Sequence, residues 1–200
     1  NVNLQDIAES ALLKGLKFND ADYGSVILME VETGDIKAIS NFSKNKSGYY
    51  TENYNYAIQG MHEPGSTFKL ASILAYIEET EKSIYDSVDT GDGEYKFYSE
   101  LMKDHKPGGY GKITIKEIFE KSSNIGVAKM IDETFNRSPQ KFLDYLRKFG
   151  FNDNFDFQIF GSSKPQIKNS EDSTWSKVSL PWIAHGYELM LTPLHTLSFY

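Results

Sequence analysis

The sequence predicts an α+β fold, on three observations. Residues 24–41, "GSVILMEVETGDIKAISN", hold two apolar-rich runs around a Gly-containing turn, the pattern of a β-hairpin. Several later segments carry apolar residues at helical spacing. An early hairpin followed by a set of helices is an α+β order, with no internal repeat and no low-complexity tract to compete with it.

The elements follow in order. Leu4, Ile7, Ala8, Ala11, Leu12 and Leu16 share one face of a predicted helix over 3–17. Runs 26–31 and 36–40 are the hairpin strands, and Gly34 in "ETGD" accepts positive φ at their turn. Residues 41–57, rich in Asn, Ser, Lys and Tyr, read as a polar loop with no clear period. Pro64 and Gly65 break the chain before a helix from about 66 to 81, with Ser66 at its N-terminus. Residues 86–111, with many Gly, Asp and Lys, predict loops and a short hairpin. The stretch 114–135 begins with a capping box, Thr114 with Glu117. Poor helix formers in "KSSN" then divide it into two helices with a tight junction at 121–124. Ser138, as N-cap, and Pro139 start a short helix to about 148; 149–180 read as irregular, and 181–200 as two short helices. The last opens with Thr192 and Pro193, and the chain stops inside it, so the reading expects a piece of a longer domain.

Composition narrows the function. An apolar fraction of 40% and a charged fraction of 24% are those of a chain with a sizeable core. A formal net charge of -7 argues against a nucleic-acid partner, because phosphate binding needs a basic face. With no Cys, disulfides, thiolate zinc sites and Cys nucleophiles are excluded. His62, His105, His185 and His195 show no metal-ligand spacing and read as surface or satisfied core residues, with His62 at a rim. No metal or cofactor is expected. No apolar run approaches the ~18 residues of a membrane helix, so a membrane anchor is expected only outside this chain.

The stretch "MHEPGSTFKLASILAYIEE" carries the candidate chemistry. A serine hydroxyl attacks a carbonyl only with a neighbouring base. Lys69, three residues after Ser66, falls on the same helical face, and burial lowers a lysine pKa until the neutral amine acts as that base. A helix start also offers backbone N–H donors to an oxyanion. Ser-x-x-Lys alone is weak: it occurs at Ser43–Lys46, Ser66–Lys69 and Ser138–Lys141. Only Ser66 follows a sharp turn and precedes an apolar helix able to bury the Lys; the competing reading of Ser66 is a plain N-cap. At the 121–124 junction, Ser122 and Asn124 are placed to relay a proton and hold a substrate amide, although Ser-x-Asn also occurs at Ser43–Asn45 and ends many helices. The rings of "YYTENYNY" read as loop packing rather than a sugar-stacking surface, and Trp175 and Trp182 read as packing residues.

Taken together, "EPGSTFK" and, 56 residues after its Ser, "SSN" in a helical stretch resemble the penicillin-binding proteins, whose motifs are S-x-x-K, S-x-N and K-S/T-G. The early hairpin and the late "GYELMLTPLHTLSFY" are similar to further family segments, so the resemblance covers nearly the whole chain. The flanks fit the transpeptidase domain of the high-molecular-weight class B members of septation or elongation. The resemblance implies a penicillin-binding protein and serine β-lactamase-like fold, an antiparallel sheet flanked by a helical subdomain, incomplete at its C-terminus. It implies Ser66 as the acylated nucleophile, Lys69 as its base, Ser122 as proton relay and Asn124 as substrate-amide contact. It implies acyl transfer from D-Ala-D-Ala stem peptides of peptidoglycan, inhibition by β-lactams, partners among other cell-wall synthesis proteins, and a place on the extracytoplasmic face of the bacterial membrane.

Two departures shape the expectation. The third motif is missing where it belongs, after the "TPLH" helix. The one matching string, Lys46-Ser47-Gly48, precedes Ser66 in a polar stretch. Loss of one oxyanion donor costs roughly 10²–10³ in rate, so residues 1–200 alone are expected to acylate weakly or not at all. The deacylating Glu pattern of class A β-lactamases is absent, and Asn124 counts against class D. A penicillin-sensing binding domain and a non-catalytic scaffold of a division or elongation complex are the rival readings, and no residue separates a transpeptidase from a carboxypeptidase.

Overall fold

Asn1 opens the first helix by accepting the Leu4 N–H in its side chain, in a computed structural model that describes residues 1–152, 155 and 161–200. In chain order the elements are α1 (Val2–Asn19), β1 (Tyr23–Met29), β2 (Ile36–Lys44), β3 (Tyr50–Thr51), α2 (Tyr56–Gln59), a 3₁₀ turn (Gly65–Phe68) and α3 (Lys69–Thr80). There follow β4 (Ser87–Asp89), β5 (Glu94–Phe97), β6 (Glu100–Lys103), β7 (Lys112–Thr114), α4 (Ile115–Glu120), α5 (Asn124–Phe135) and α6 (Pro139–Lys148). The last are β8 (Gln166–Ile167), α7 (Ser179–Ala184), β9 (Leu189–Met190) and α8 (Pro193–Phe199). Among the described residues two compact units form, 1–62 with 155, 161–165 and 191–200, and 63–152 with 166–190.

The first unit is built on an antiparallel sheet of order β1-β2-β3. β1 and β2 pair from Tyr23 opposite Ser43 to Leu28 opposite Ala38, with a bulge beyond Leu28, and Gly34 turns the hairpin at φ 73. Ala8, Leu12 and Leu16, four residues apart, form the buried stripe of α1. Gln5 fixes that helix on β2: its amide donates to the Ile39 carbonyl at 2.7 Å and accepts the Ile39 N–H at 3.0 Å. Ala57, Ile58 and Leu194 are buried together, with Ile27, Met29, Ile36 and Ile39 packed against them.

The stretch 41–57 is more ordered than its composition predicts. β2 runs on to Lys44, β3 pairs with it, and α2 closes the segment. The order comes from aromatic anchoring: the Tyr50 hydroxyl donates to the Ala21 carbonyl at 2.8 Å, and the Tyr23 and Tyr56 rings stack at 4.4 Å. Tyr50 and Tyr56 therefore pack, as expected, whereas Tyr49 and Tyr54 of the same stretch are exposed. Lys46-Ser47-Gly48 lies in the turn between β2 and β3, where the Asn45 side chain accepts the Ser47 and Tyr49 N–H groups.

The second unit is helical around α5. Ile125, Val127, Ala128, Met130 and Ile131 of that helix are all buried, as expected for an element enclosed on most sides. Gly126 lets α4 approach, because a Cβ there would meet the Ile118 side chain at 2.8 Å. The β5–β6 hairpin inserts Phe97 and Met102 against Ile125 and Ala128, with Trp182 packed on the same cluster. Both helices predicted in 114–135 are present. Thr114 and Glu117 form the capping box, and the break falls at 121–123. Two expectations need correction. Ser66 lies in a 3₁₀ turn, and the α-helix proper begins at Lys69. Ser138 precedes α6 without a side-chain cap bond. In the stretch read as irregular, residues 153, 154 and 156–160 lie outside the described residues, and the rest holds only β8 and the start of α7. No helix among the described residues is long and apolar enough to cross a membrane.

Candidate active site

Phe68 and Gly65 set the position of Ser66. Phe68 is buried against Phe151, with ring centroids 5.1 Å apart, and anchors the inner side of the 3₁₀ turn. Gly65, at φ 56, begins the turn and donates its N–H to the Gly186 carbonyl at 2.9 Å. Ser66 is thereby left exposed at the rim, with no side-chain hydrogen bond among the described residues.

Lys69 is buried. Its side chain enters the protein from the first turn of α3, and the residue is only 1% exposed. All three ammonium protons are used: Nζ donates to the Ser122 carbonyl at 2.6 Å, to Ser122 Oγ at 2.9 Å and to Asn124 Oδ1 at 2.6 Å. Burial pushes the Lys69 ammonium down to about 8, against a smaller opposing pull from the Asp104 carboxylate. A lysine in that range supplies a substantial fraction of free amine near neutral pH.

The junction between α4 and α5 presents both acceptors. Ser122 takes φ 53, a left-handed conformation that costs a non-Gly residue about 1–2 kcal/mol. That turn aims its carbonyl and its hydroxyl at the same ammonium. Ser123 caps α5 by accepting the Gly126 N–H. The structure thus joins Lys69, Ser122 and Asn124 by direct hydrogen bonds and holds Ser66 within one turn of Lys69, whose N–H donates to the Ser66 carbonyl.

Two residues escaped the sequence reading. Asp104 is buried and accepts from the N-terminus of α5, far from either motif in sequence. His185, read as a surface or satisfied core residue, is 6% exposed, and among the described residues neither ring nitrogen has a hydrogen-bond partner. Its neighbours hold it beside the lysine: the Ala184 carbonyl accepts from Ser72 Oγ at 2.7 Å, and the Gly186 carbonyl accepts from Gly65. Burial, and then the Lys69 charge, push its pKa from 6.5 to about 4. His62, as expected of a rim residue, is exposed.

The His185 environment has a measurable consequence. In the unfolded chain this ring takes a proton as pH falls through 6.5, whereas in the fold it stays neutral to about 4. Stability is therefore lost as pH falls across that window and levels off below it, by on the order of 3 kcal/mol. His185→Phe is expected to flatten this acid slope in urea unfolding at pH 7 and pH 4.5. An unchanged slope contradicts the assignment.

The model of the penicillin binding protein transpeptidase domain matches residues 24–200. The chain is 26% identical over 205 residues to the peptidoglycan D,D-transpeptidase FtsI of Escherichia coli, covering 98% of this chain and 33% of that protein. It is 29% identical over 208 residues to FtsI of Buchnera aphidicola subsp. Schizaphis graminum, covering 98% and 34%. It thus spans about a third of the length of these curated relatives. In fold it is similar to a peptidoglycan glycosyltransferase from Burkholderia ambifaria, with a TM-score of 0.83, 21% identity and coverage of 98% of this chain and 57% of that one. It is also similar to the TP domain of Burkholderia pseudomallei penicillin-binding protein 3, with a TM-score of 0.83, 19% identity and coverage of 98% and 54%. With the matched model extending over most of its length, and the buried Lys69 joined to the half-buried Ser122 and Asn124 in a cluster one turn from an exposed Ser66, the chain belongs to the penicillin-binding protein transpeptidase domain family.

Proposed function

We propose that the protein is a class B peptidoglycan D,D-transpeptidase in which Ser66 is the nucleophile, Lys69 its base, Ser122 the proton relay and Asn124 the substrate-amide contact. The observation that carries this reading is the buried Lys69 ammonium, which contacts both Ser122 and Asn124 one turn from the exposed Ser66 hydroxyl. Neutral Lys69 accepts the Ser66 proton as Oγ bonds to the penultimate D-Ala carbonyl carbon. The oxyanion meets backbone N–H at the open end of the 3₁₀ turn. Ser122 then passes the proton to the departing D-Ala amine as the peptide C–N bond breaks. In the second half, an amine of a neighbouring stem displaces Ser66 from the acyl group and forms the cross-link. The site works on the extracytoplasmic face of the membrane, where this substrate lies, among other cell-wall synthesis proteins.

The test supplies the full-length gene product with a donor peptide ending in D-Ala-D-Ala and an amine acceptor. D-Ala release with formation of the cross-linked dimer is expected, lost in Ser66→Ala and retained in Ser43→Ala and Ser138→Ala. Release without cross-linking indicates a carboxypeptidase. Penicillin capture without D-Ala release indicates a sensor. Neither activity in folded protein indicates a scaffold. Lys46-Ser47-Gly48 sits in a turn rather than on a strand, so it does not stand in for the third motif. Residues 1–200 alone are expected to acylate roughly 10²–10³-fold more slowly than a chain that carries that motif on a strand.

A further inference from the structure

Asp104 follows directly on β6, at the end of the β5–β6 hairpin, where its N–H is tied to the Gly93 carbonyl at 3.0 Å. Its carboxylate is buried and spent on one short stretch of chain. Oδ1 accepts the Asn124 N–H at 2.6 Å and the Ile125 N–H at 3.1 Å, and Oδ2 accepts the Ser123 hydroxyl at 2.8 Å. The preceding residue adds a fourth tie, because the Lys103 carbonyl accepts Asn124 Nδ2 at 3.0 Å. That bond fixes the flip of the Asn124 amide and leaves Oδ1 on Lys69. The hairpin end therefore holds α5 at its first turn and sets which atom of Asn124 meets the lysine.

We propose that Asp104 is a positioning residue for the acylation site: through both carboxylate oxygens it fixes the Ser123–Ile125 turn that presents Asn124 to the Lys69 ammonium. The start of a helix leaves four N–H groups unpaired; Ser123 takes that of Gly126, and Asp104 takes those of Asn124 and Ile125 and holds the Ser123 hydroxyl as well. Asp104 adds three further bonds around the one residue of that turn whose side chain touches Lys69. It also supplies the negative charge that acts on that lysine. Among the described residues the other titratable group facing Lys69 is His185, from the end of α7, which is neutral above about pH 4 and stays out of the alkaline window. Ser122 and Asn124 face the ammonium as uncharged groups.

The inference rests on the proposed roles of Ser66 and Lys69, and its test separates the two. Acylation of the full-length gene product by a fluorescent penicillin is followed from pH 6 to pH 10, with wild type and Ser66→Ala as controls. No acylation of folded wild type overturns the reading of the site itself. Given acylation that depends on Ser66, Asp104→Asn is expected to move the midpoint of the pH–rate curve to lower pH, because a charge favouring protonated Lys69 is gone. Its plateau rate is expected to fall by up to about 10²-fold through the loosened turn. Asp104→Glu, which keeps the charge and displaces it, is expected to keep the wild-type midpoint with a reduced plateau. Loss of the charge moves the midpoint whether or not the turn is loosened, so the plateau of the folded variants reads the positioning. A wild-type plateau in folded Asp104→Asn overturns the proposal. If that variant does not fold, a wild-type plateau in Asp104→Glu overturns it.

Discussion

Lys69→Arg is expected to lower the rate of acylation by β-lactams about 10²–10⁴-fold while leaving the protein folded. Arginine keeps a positive charge and several donors for the Ser122 carbonyl, Ser122 Oγ and Asn124 Oδ1, so the junction between α4 and α5 stays tied. It does not supply a free amine at any working pH. Lys69→Met removes the base as well, but leaves three half-buried acceptors without their donor, at up to about 1–3 kcal/mol for each group left unsatisfied. Similar loss of rate in both variants, with loss of stability only in Lys69→Met, separates the chemical role of the amine from its structural one. Wild-type acylation is expected to rise with pH through about 8, where Lys69 gives up its proton. Lys69→Arg is expected to show no such limb. A Lys69→Arg rate within tenfold of wild type, measured with fluorescent penicillin, removes Lys69 as the base.

Gly186→Ala is expected to be the most damaging change at a position with no side chain of its own. Gly186 has φ 91, and an added Cβ would collide with the Gly65 carbonyl oxygen, a backbone atom that has no rotamer to change. The backbone conformation alone costs about 1–3 kcal/mol in a non-Gly residue, before the clash is counted. Relief of the clash moves the Gly65 turn, and with it Ser66, so acylation falls by about 10²-fold for a displacement near 1 Å. Gly65→Ala is the control on the same contact. At φ 56, with nothing within 4 Å of the added Cβ, it is expected to cost only the left-handed strain of about 1–2 kcal/mol. Urea unfolding of both variants checks the order. Equal losses contradict the steric account.

The two motifs were legible because their chemistry is local. Ser66 and Lys69 are linked by one helical turn, and the apolar face of α3, with Ala71, Ile73 and Ala75 buried, implied that the lysine enters the protein. The break in "KSSN" was legible from helix propensity, but its conformation was not. No residue type announces that Ser122 takes φ 53, a state in which its N–H meets the Phe119 carbonyl and its carbonyl accepts from Lys69. Asp104 reaches Asn124 across twenty residues and through a hairpin, and its Asp-rich surroundings hide it in sequence. His185 carries no motif, and its place comes from what its neighbours Ala184 and Gly186 bond to. In the fold, long periodic helices were readable. β3 and α2, with two and four residues, are too short to show a period and are held by Tyr50 and Tyr56.

Intact-mass spectrometry after incubation with penicillin tests the central claim most directly. In the full-length gene product we expect one covalent adduct of the whole antibiotic mass, because ring opening expels no leaving group. The adduct is expected to map to the peptide that contains Ser66 and to be absent from Ser66→Ala. No adduct on folded wild type, or an adduct that survives Ser66→Ala, contradicts the assignment of Ser66 as the nucleophile.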